Sequence, residues 1–137
     1  MKIYMLDTCI CSFIMREQPI LLLEKLAKEV NNKSHIVISA ITYAEMRYGQ
    51  IGKKASPKHK QLIDEFVFRL NEVVSWDKEA VDETIKIKAY LAKNGIVIGN
   101  NDTAIAGHAL SLNCTLITNN TKEFMRVPKL IIEDWSI

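Results

Sequence analysis

No uninterrupted apolar run in this sequence approaches the ~20 residues that a membrane-crossing helix needs. The N-terminus also lacks the basic, apolar and small-residue order of a secretory signal. Glycine (five) and proline (three) are few and scattered, so neither a flexible linker nor a low-complexity segment is present. Cysteine is sparse and odd in number: Cys9, Cys11 and Cys114 form no metal-ligand pattern and cannot all pair. That usage fits a reducing cytoplasm better than a disulfide scaffold. Strong charge of either sign is missing as well, since the net charge is only +2. A polycation that coats nucleic acid by bulk electrostatics is thereby excluded.

Acids are locally absent, however. Between Met46 and Ile63 there is none, while Arg47, Lys53, Lys54, Lys58 and Lys60 fall there with His59. Such a patch suits phosphates, and it equally suits a solvated face or a protein contact. The 137 residues, 48% hydrophobic and 25% charged, are expected to form one domain, residues 1–137, around a single sizeable core.

"KIYML" reads as a short buried strand, and residues 11–30 as helical with an interruption near Pro19. Within that stretch Leu22, Leu23, Leu26 and Val30 recur at the spacing of an amphipathic helix. "HIVIS" is a β-branched strand, followed by a helix over 40–49 for which Ser39 is a natural N-cap. Residues 61–76 read as helix running into a short strand near Val73–Val74, and residues 77–95 as a helix stopped by Asn94-Gly95. A loop over 96–102, a helix over 103–113, a strand over 115–120, a turn of helix at "TKEF" and a strand over 130–135 complete the chain. The alternation predicts an α/β/α layered fold with a central, mainly parallel sheet flanked by helices. Functional groups in such folds gather beyond the carboxyl ends of the strands.

Three acids arrive at that end. Asp7 closes the first strand, and a carboxylate at the end of an apolar run needs a cation, a metal or open water to stabilise it. Glu45 shares a helix face with Ile41 and Tyr48, an unexpected stripe for a glutamate. Asp102 stands at the top of the stripe Ile105, Ala106, Ala109, where helix capping alone would also explain it. "TNNT" (Thr118, Asn119, Asn120) follows another strand and reads by itself as a turn. Converging carboxylates repel one another, and a hard divalent cation, Mg²⁺ or Mn²⁺, resolves that repulsion. On this reading Asp7 is exposed because it is a metal ligand, and the chemistry is phosphodiester hydrolysis.

The segments "MLDTCI", "SAITYAEMRYG", "IGNNDTAIAGHAL" and "LITNNTKEF" occur in that order, and together they closely resemble the PIN-domain ribonucleases, specifically VapC toxins of toxin–antitoxin pairs. The resemblance runs from Lys2 to Trp135. It implies a PIN-like fold and catalytic positions Asp7, Glu45, Asp102 and Asn120, the three acids holding Mg²⁺ or Mn²⁺. It further implies an endoribonuclease that cuts structured RNA with metal-activated water, leaving 5′-phosphate and 3′-hydroxyl ends. Transfer RNA is the expected substrate, with the initiator tRNA anticodon stem-loop the leading candidate. A homodimer, a VapB-type antitoxin and operator DNA reached only through the antitoxin complex are the partners implied.

The family usually reads Leu-Asp-Thr-Asn where this chain has Leu6-Asp7-Thr8-Cys9, and a thiol is a weak hydrogen-bond partner. Thr8, Cys9 and Thr118 are expected to support the acids through hydrogen bonds. His108, six residues past Asp102, points away from it and reads as packing; Phe13, Met15, Trp76 and Trp135 read as core or interface. A PIN-like module that binds RNA or antitoxin without cutting is the alternative. A receiver domain or aspartyl phosphatase lacks its paired acids here.

Overall fold

A computed structural model of the chain describes residues 1–49 and 56–137. The elements run β1 (Ile3–Leu6), α1 (Thr8–Met15), α2 (Ile20–Asn31), β2 (His35–Ser39), α3 (Ala40–Tyr48), α4 (Pro57–Arg69), β3 (Glu72–Val74), α5 (Lys78–Lys93), α6 (Asn100–Ser111), β4 (Thr115–Ile117), α7 (Thr121–Phe124) and β5 (Ile132–Glu133). The five strands form one sheet in the order β3-β2-β1-β4-β5, and every adjacent pair is parallel.

Side chains alternate across the sheet because successive Cβ atoms in a strand point to opposite faces. Tyr4, Leu6, Ile36, Ile38 and Ile117 join Ile10, Leu22, Ile63 and Phe66 of α1, α2 and α4 in one core. Met5, Val37 and Leu116 meet Ile87, Leu91, Ile105 and Phe124 of α5, α6 and α7 in the other. Both faces of the sheet are covered, which is why the strands read as near-continuous apolar runs.

The strand order supplies the position of the site. The chain proceeds outward from β1 to β2 and β3 on one side, then returns to place β4 and β5 on the other. Between β1 and β4 the direction of winding reverses, and it is beyond the carboxyl ends at such a point that parallel sheets gather functional groups. Asp7 follows β1 and Thr118 follows β4, with the Asp7 amide donating to Ile117 O at 2.9 Å.

Several boundaries differ from the sequence expectation. Helix α1 starts at Thr8 rather than residue 11, because Asp7 itself is the N-cap and accepts from the Thr8 amide. Helix α4 starts at Pro57, inside the stretch 52–60 that reads in sequence as a connection or helix start, with Ser56 capping it through the His59 amide and the proline ring suiting the first turn. Helix α6 starts at Asn100, three residues early, with Gly99 as N-cap. Strand β5 is only Ile132–Glu133, since Trp135 turns away from the sheet edge to stack edge-on against Tyr4. The stop at Asn94-Gly95 is as expected, with Gly95 in the left-handed region at φ 64°.

Helices α5 and α6 pack unusually close. A Cβ on Gly107 would fall 2.0 Å from Thr84 Oγ1 and 2.8 Å from the Thr84 backbone. Only glycine allows that approach, and it fixes the height of α6, whose first turn carries Asp102.

Candidate active site

Asp7 is buried, with 4% of its surface exposed, rather than standing in water as a free ligand. Three donors replace solvent around it. Thr118 Oγ1 donates to Oδ2 at 2.8 Å, the Cys9 thiol donates to the same oxygen at 3.3 Å, and the Thr8 amide donates to Oδ1 at 2.8 Å. A carboxylate offers about four lone-pair directions, so Oδ2 is occupied on the protein side and Oδ1 keeps one direction open. Burial nonetheless dominates and raises the Asp7 pKa, with Thr118, Cys9 and Thr8 pulling it back and Glu45 adding repulsion.

Glu45 is half-buried on α3 and is tied to the start of α1, where Thr8 Oγ1 donates to Oε1 at 2.7 Å. The Thr8 hydroxyl also lies 3.3 Å from that of Thr42. Thr8 therefore contacts Glu45 through its side chain and Asp7 through its backbone. Tyr48, expected to share an inward stripe with Glu45, is 78% exposed, so α3 turns its last residue outward.

Asp102 occupies the first turn of α6, while Gly99 is the N-cap and has no side-chain cap bond. Its carboxyl is pushed up to about 6 by burial, then by repulsion from Asp7, Glu123 and Glu45. Four acids from four segments of chain thus share one electrostatic neighbourhood. Glu123 is the member that reading the sequence missed. It lies three residues after Asn120, whose Nδ2 donates to Glu123 Oε2 at 3.2 Å. The visible signal was the Asn-x-x-Glu spacing of a helix start, which is normally only a cap. Asn120 itself ties its amide to Thr118 Oγ1 at 3.0 Å and its side chain to Glu123.

The Cys9 sulfur sits between Asp7 Oδ2 and Thr118 Oγ1, 3.8 Å from the latter. Burial, reinforced by the Asp7 charge, pushes its thiol up to about 11, so it remains protonated and acts as a donor. His108 is fully buried, and its Nδ1 lies 2.7 Å from Ser39 Oγ. Burial lowers its pKa. Ser39 Oγ also accepts from the Ile41 amide at 3.0 Å, so its contact with His108 Nδ1 joins α6 to the start of α3. The ring is packing.

The basic stretch is dispersed. Arg47 bonds Asp64 and Tyr43 Oη, and Lys60 Nζ reaches the other Asp64 oxygen at 3.0 Å. Lys58 is exposed, and Lys53 and Lys54 lie outside the described residues. Asp64, one residue beyond the acid-free window, thus engages two of the expected RNA contacts.

The donor set suits a hard divalent cation, since the ligands on offer are carboxylate oxygens. Among the described residues no three Asp, Glu, His or Cys groups close around a single point as they stand. Mg²⁺ tolerates this, because it keeps several waters and takes one or two carboxylates together with substrate phosphate. Asp7, Glu45 and Asp102 are the residues that would hold it.

The PIN domain family profile matches residues 4–130. The chain belongs to the PIN-domain family, among its VapC ribonucleases. Ribonuclease VapC2 of Rickettsia felis is 38% identical over 133 residues, covering 97% of this chain and 98% of that one. A protein of Salmonella typhimurium, tRNA(fMet)-specific endonuclease VapC, is also 38% identical over 133 residues, covering 96% and 97%. The solved VapBC2 complex of Rickettsia felis bound to a DNA fragment from its promoter superposes with a TM-score of 0.90 at 38% identity, covering 97% of this chain and 98% of that one. The five-stranded parallel sheet with helices on both faces is therefore the PIN fold.

Proposed function

We propose that this chain is the toxin of a VapBC-type toxin–antitoxin pair, a divalent-metal-dependent endoribonuclease that cuts structured RNA. The observation that carries the reading is the convergence of Asp7, Glu45, Asp102 and Glu123, where burial first and then repulsion from the other three push the Asp102 carboxyl up to about 6. Repelling acids at the carboxyl end of a parallel sheet have a purpose when a cation joins them.

Bound there, Mg²⁺ or Mn²⁺ would polarise a phosphoryl oxygen and lower the pKa of a water for attack on phosphorus. The chain's own residues do the rest. Asp7, Glu45 and Asp102 would hold the cation. Thr118, Cys9 and Thr8 orient Asp7; the Thr8 hydroxyl orients Glu45; Asn120 turns Glu123 toward the cluster. Attack by water releases the 3′-oxygen, leaving 5′-phosphate and 3′-hydroxyl ends.

Transfer RNA is the favoured substrate, and initiator tRNA within it, in line with the name of the Salmonella relative. A VapB-type antitoxin is the partner, and DNA contact runs through the complex, in line with the DNA-bound VapBC2 neighbour. We place the active unit in the cytoplasm as a homodimer of one PIN domain per chain, 1–137. Among the described residues no helix is long and apolar enough to cross a membrane.

Incubation with separate initiator and elongator tRNAs, in Mg²⁺ or Mn²⁺, tests the substrate. A single cut in the initiator anticodon stem-loop is expected. Equal cutting of both tRNAs would refute the initiator preference, and no cutting of any RNA would favour a binding module.

A further inference from the structure

Helix α1 leads away from the acids along a continuous face. Thr8 touches Glu45 at 2.7 Å, and Ser12 and Arg16 follow at i+4 and i+8 on the same side of the helix. Eight residues of helix carry that face about 12 Å along the axis from the acid cluster. There it opens into a cavity of about 380 Å³ lined by Ser12, Met15, Arg16, His59 and Leu62, between α1 and α4. A second hollow of about 270 Å³ lies on the other side of Arg16, lined by Phe13, Gln18 and Pro19.

Arg16 is the group shared by both. Its Nε donates to Ser12 O at 3.3 Å, and its guanidinium lies 5.2 Å over the Phe13 ring. Among the described residues it forms no ion pair, and residues 50–55 contain no acid that could provide one. No carboxylate lines either hollow. His59 of the slot is flanked in sequence on α4 by Lys58 and Lys60, and Lys60 shares Asp64 with Arg47. An arginine stacked on an aromatic ring, beside an apolar slot and in cationic surroundings, has the chemistry that holds an unpaired nucleotide.

We propose that the α1–α4 cavity is an RNA subsite, resting on the ribonuclease reading above. A base leaving the stem-loop enters the slot between Met15, His59 and Leu62, and Arg16, braced by Phe13, takes the neighbouring phosphate. The site acts on substrate position and leaves the chemistry to the acids. Met15 walls this slot and Phe13 the second hollow, and both also pack against the core, as the sequence suggested.

The test uses full-length protein and unfractionated tRNA, with binding read by fluorescence anisotropy and turnover by gel, at several salt concentrations. Arg16→Ala is expected to weaken tRNA binding and raise KM about tenfold, the loss of one charged contact. It should leave kcat within about twofold and reduce the slope of log affinity against log salt by about one. Arg16→Lys should restore the slope, since it restores the charge. Lys93→Ala, on an exposed lysine at the end of α5, should change nothing. Unchanged affinity and salt slope in Arg16→Ala would overturn the subsite. So would unchanged tRNA affinity with weakened capture by the antitoxin, which would assign the surface to a protein. If wild type binds tRNA through Arg16 yet never cuts, the subsite stands and the nuclease reading fails.

Discussion

Thr118 Oγ1 donates to Asp7 Oδ2 at 2.8 Å across the β1–β4 seam, linking two residues 111 positions apart in sequence. Both are buried, at 0% and 4% exposure, so this hydroxyl substitutes for water on a carboxylate. Thr118→Val is expected to cost about 1–3 kcal/mol, because the acceptor stays buried without its partner. Cleavage should fall with it. Thr118→Ser should retain both, and urea denaturation with tRNA cleavage on the same samples reads the comparison.

The acid cluster makes a pH prediction. The folded pKa of Asp102 is raised to about 6 from an ordinary 3.8, so the folded state takes up its proton more readily than the unfolded chain. A raised carboxyl pKa weakens the fold above about pH 6 and ceases to do so as pH falls through 6 toward 3.8. Without metal, Asp102→Asn should therefore melt higher than wild type at pH 7.5, the difference closing by about pH 4. Equal melting temperatures at pH 7.5 would mean that burial and repulsion do not raise the Asp102 carboxyl.

Gly107 predicts a packing defect with a functional consequence. Gly107→Ala should destabilise by roughly 1–3 kcal/mol through overpacking and lower cleavage by shifting the first turn of α6. Thr84→Ala removes the 2.0 Å clash but not the 2.8 Å backbone contacts, so the double variant should recover only part of the loss. Chemical denaturation of the four proteins in the cycle checks this.

The fold was largely legible because two periodicities carry it. Strands such as "HIVIS" are β-branched and buried on both faces, and Asn94-Gly95 marks a helix end chemically. Boundaries were less so. The early start of α6 at Asn100 rests on a glycine N-cap with no side-chain bond, which leaves no signature. Asp7 was conspicuous at the end of an apolar strand, and Glu45 and Asp102 beside helix positions that read as inward-facing. Glu123 was not, since its spacing from Asn120 imitates an ordinary cap. The burial of Asp7 was hidden as well: its stabilising hydroxyl, Thr118, joins it only through sheet topology. Sequence also could not show that Asp64, four residues after Lys60 on α4, would reach back to Arg47 on α3.

Asp64 therefore offers a gain-of-binding variant. Its pKa is lowered by hydrogen bonds from Arg47 and Lys60, so it is charged and offsets part of the local positive potential at neutral pH. Asp64→Asn is expected to tighten tRNA binding at low ionic strength, with the gain fading as salt rises. Anisotropy titrations at two salt concentrations measure it, and a gain that persists at high salt would point to a contact other than charge.

The most direct measurement incubates wild type and Asp102→Asn with unfractionated tRNA, each with Mg²⁺, with Mn²⁺ and with EDTA, after circular dichroism has established that both are folded. Discrete fragments that require the cation and vanish in the folded Asp102→Asn variant are expected. Cleavage that survives EDTA, or that proceeds at the wild-type rate without the Asp102 carboxylate, would contradict a cation-holding acid cluster as the active site.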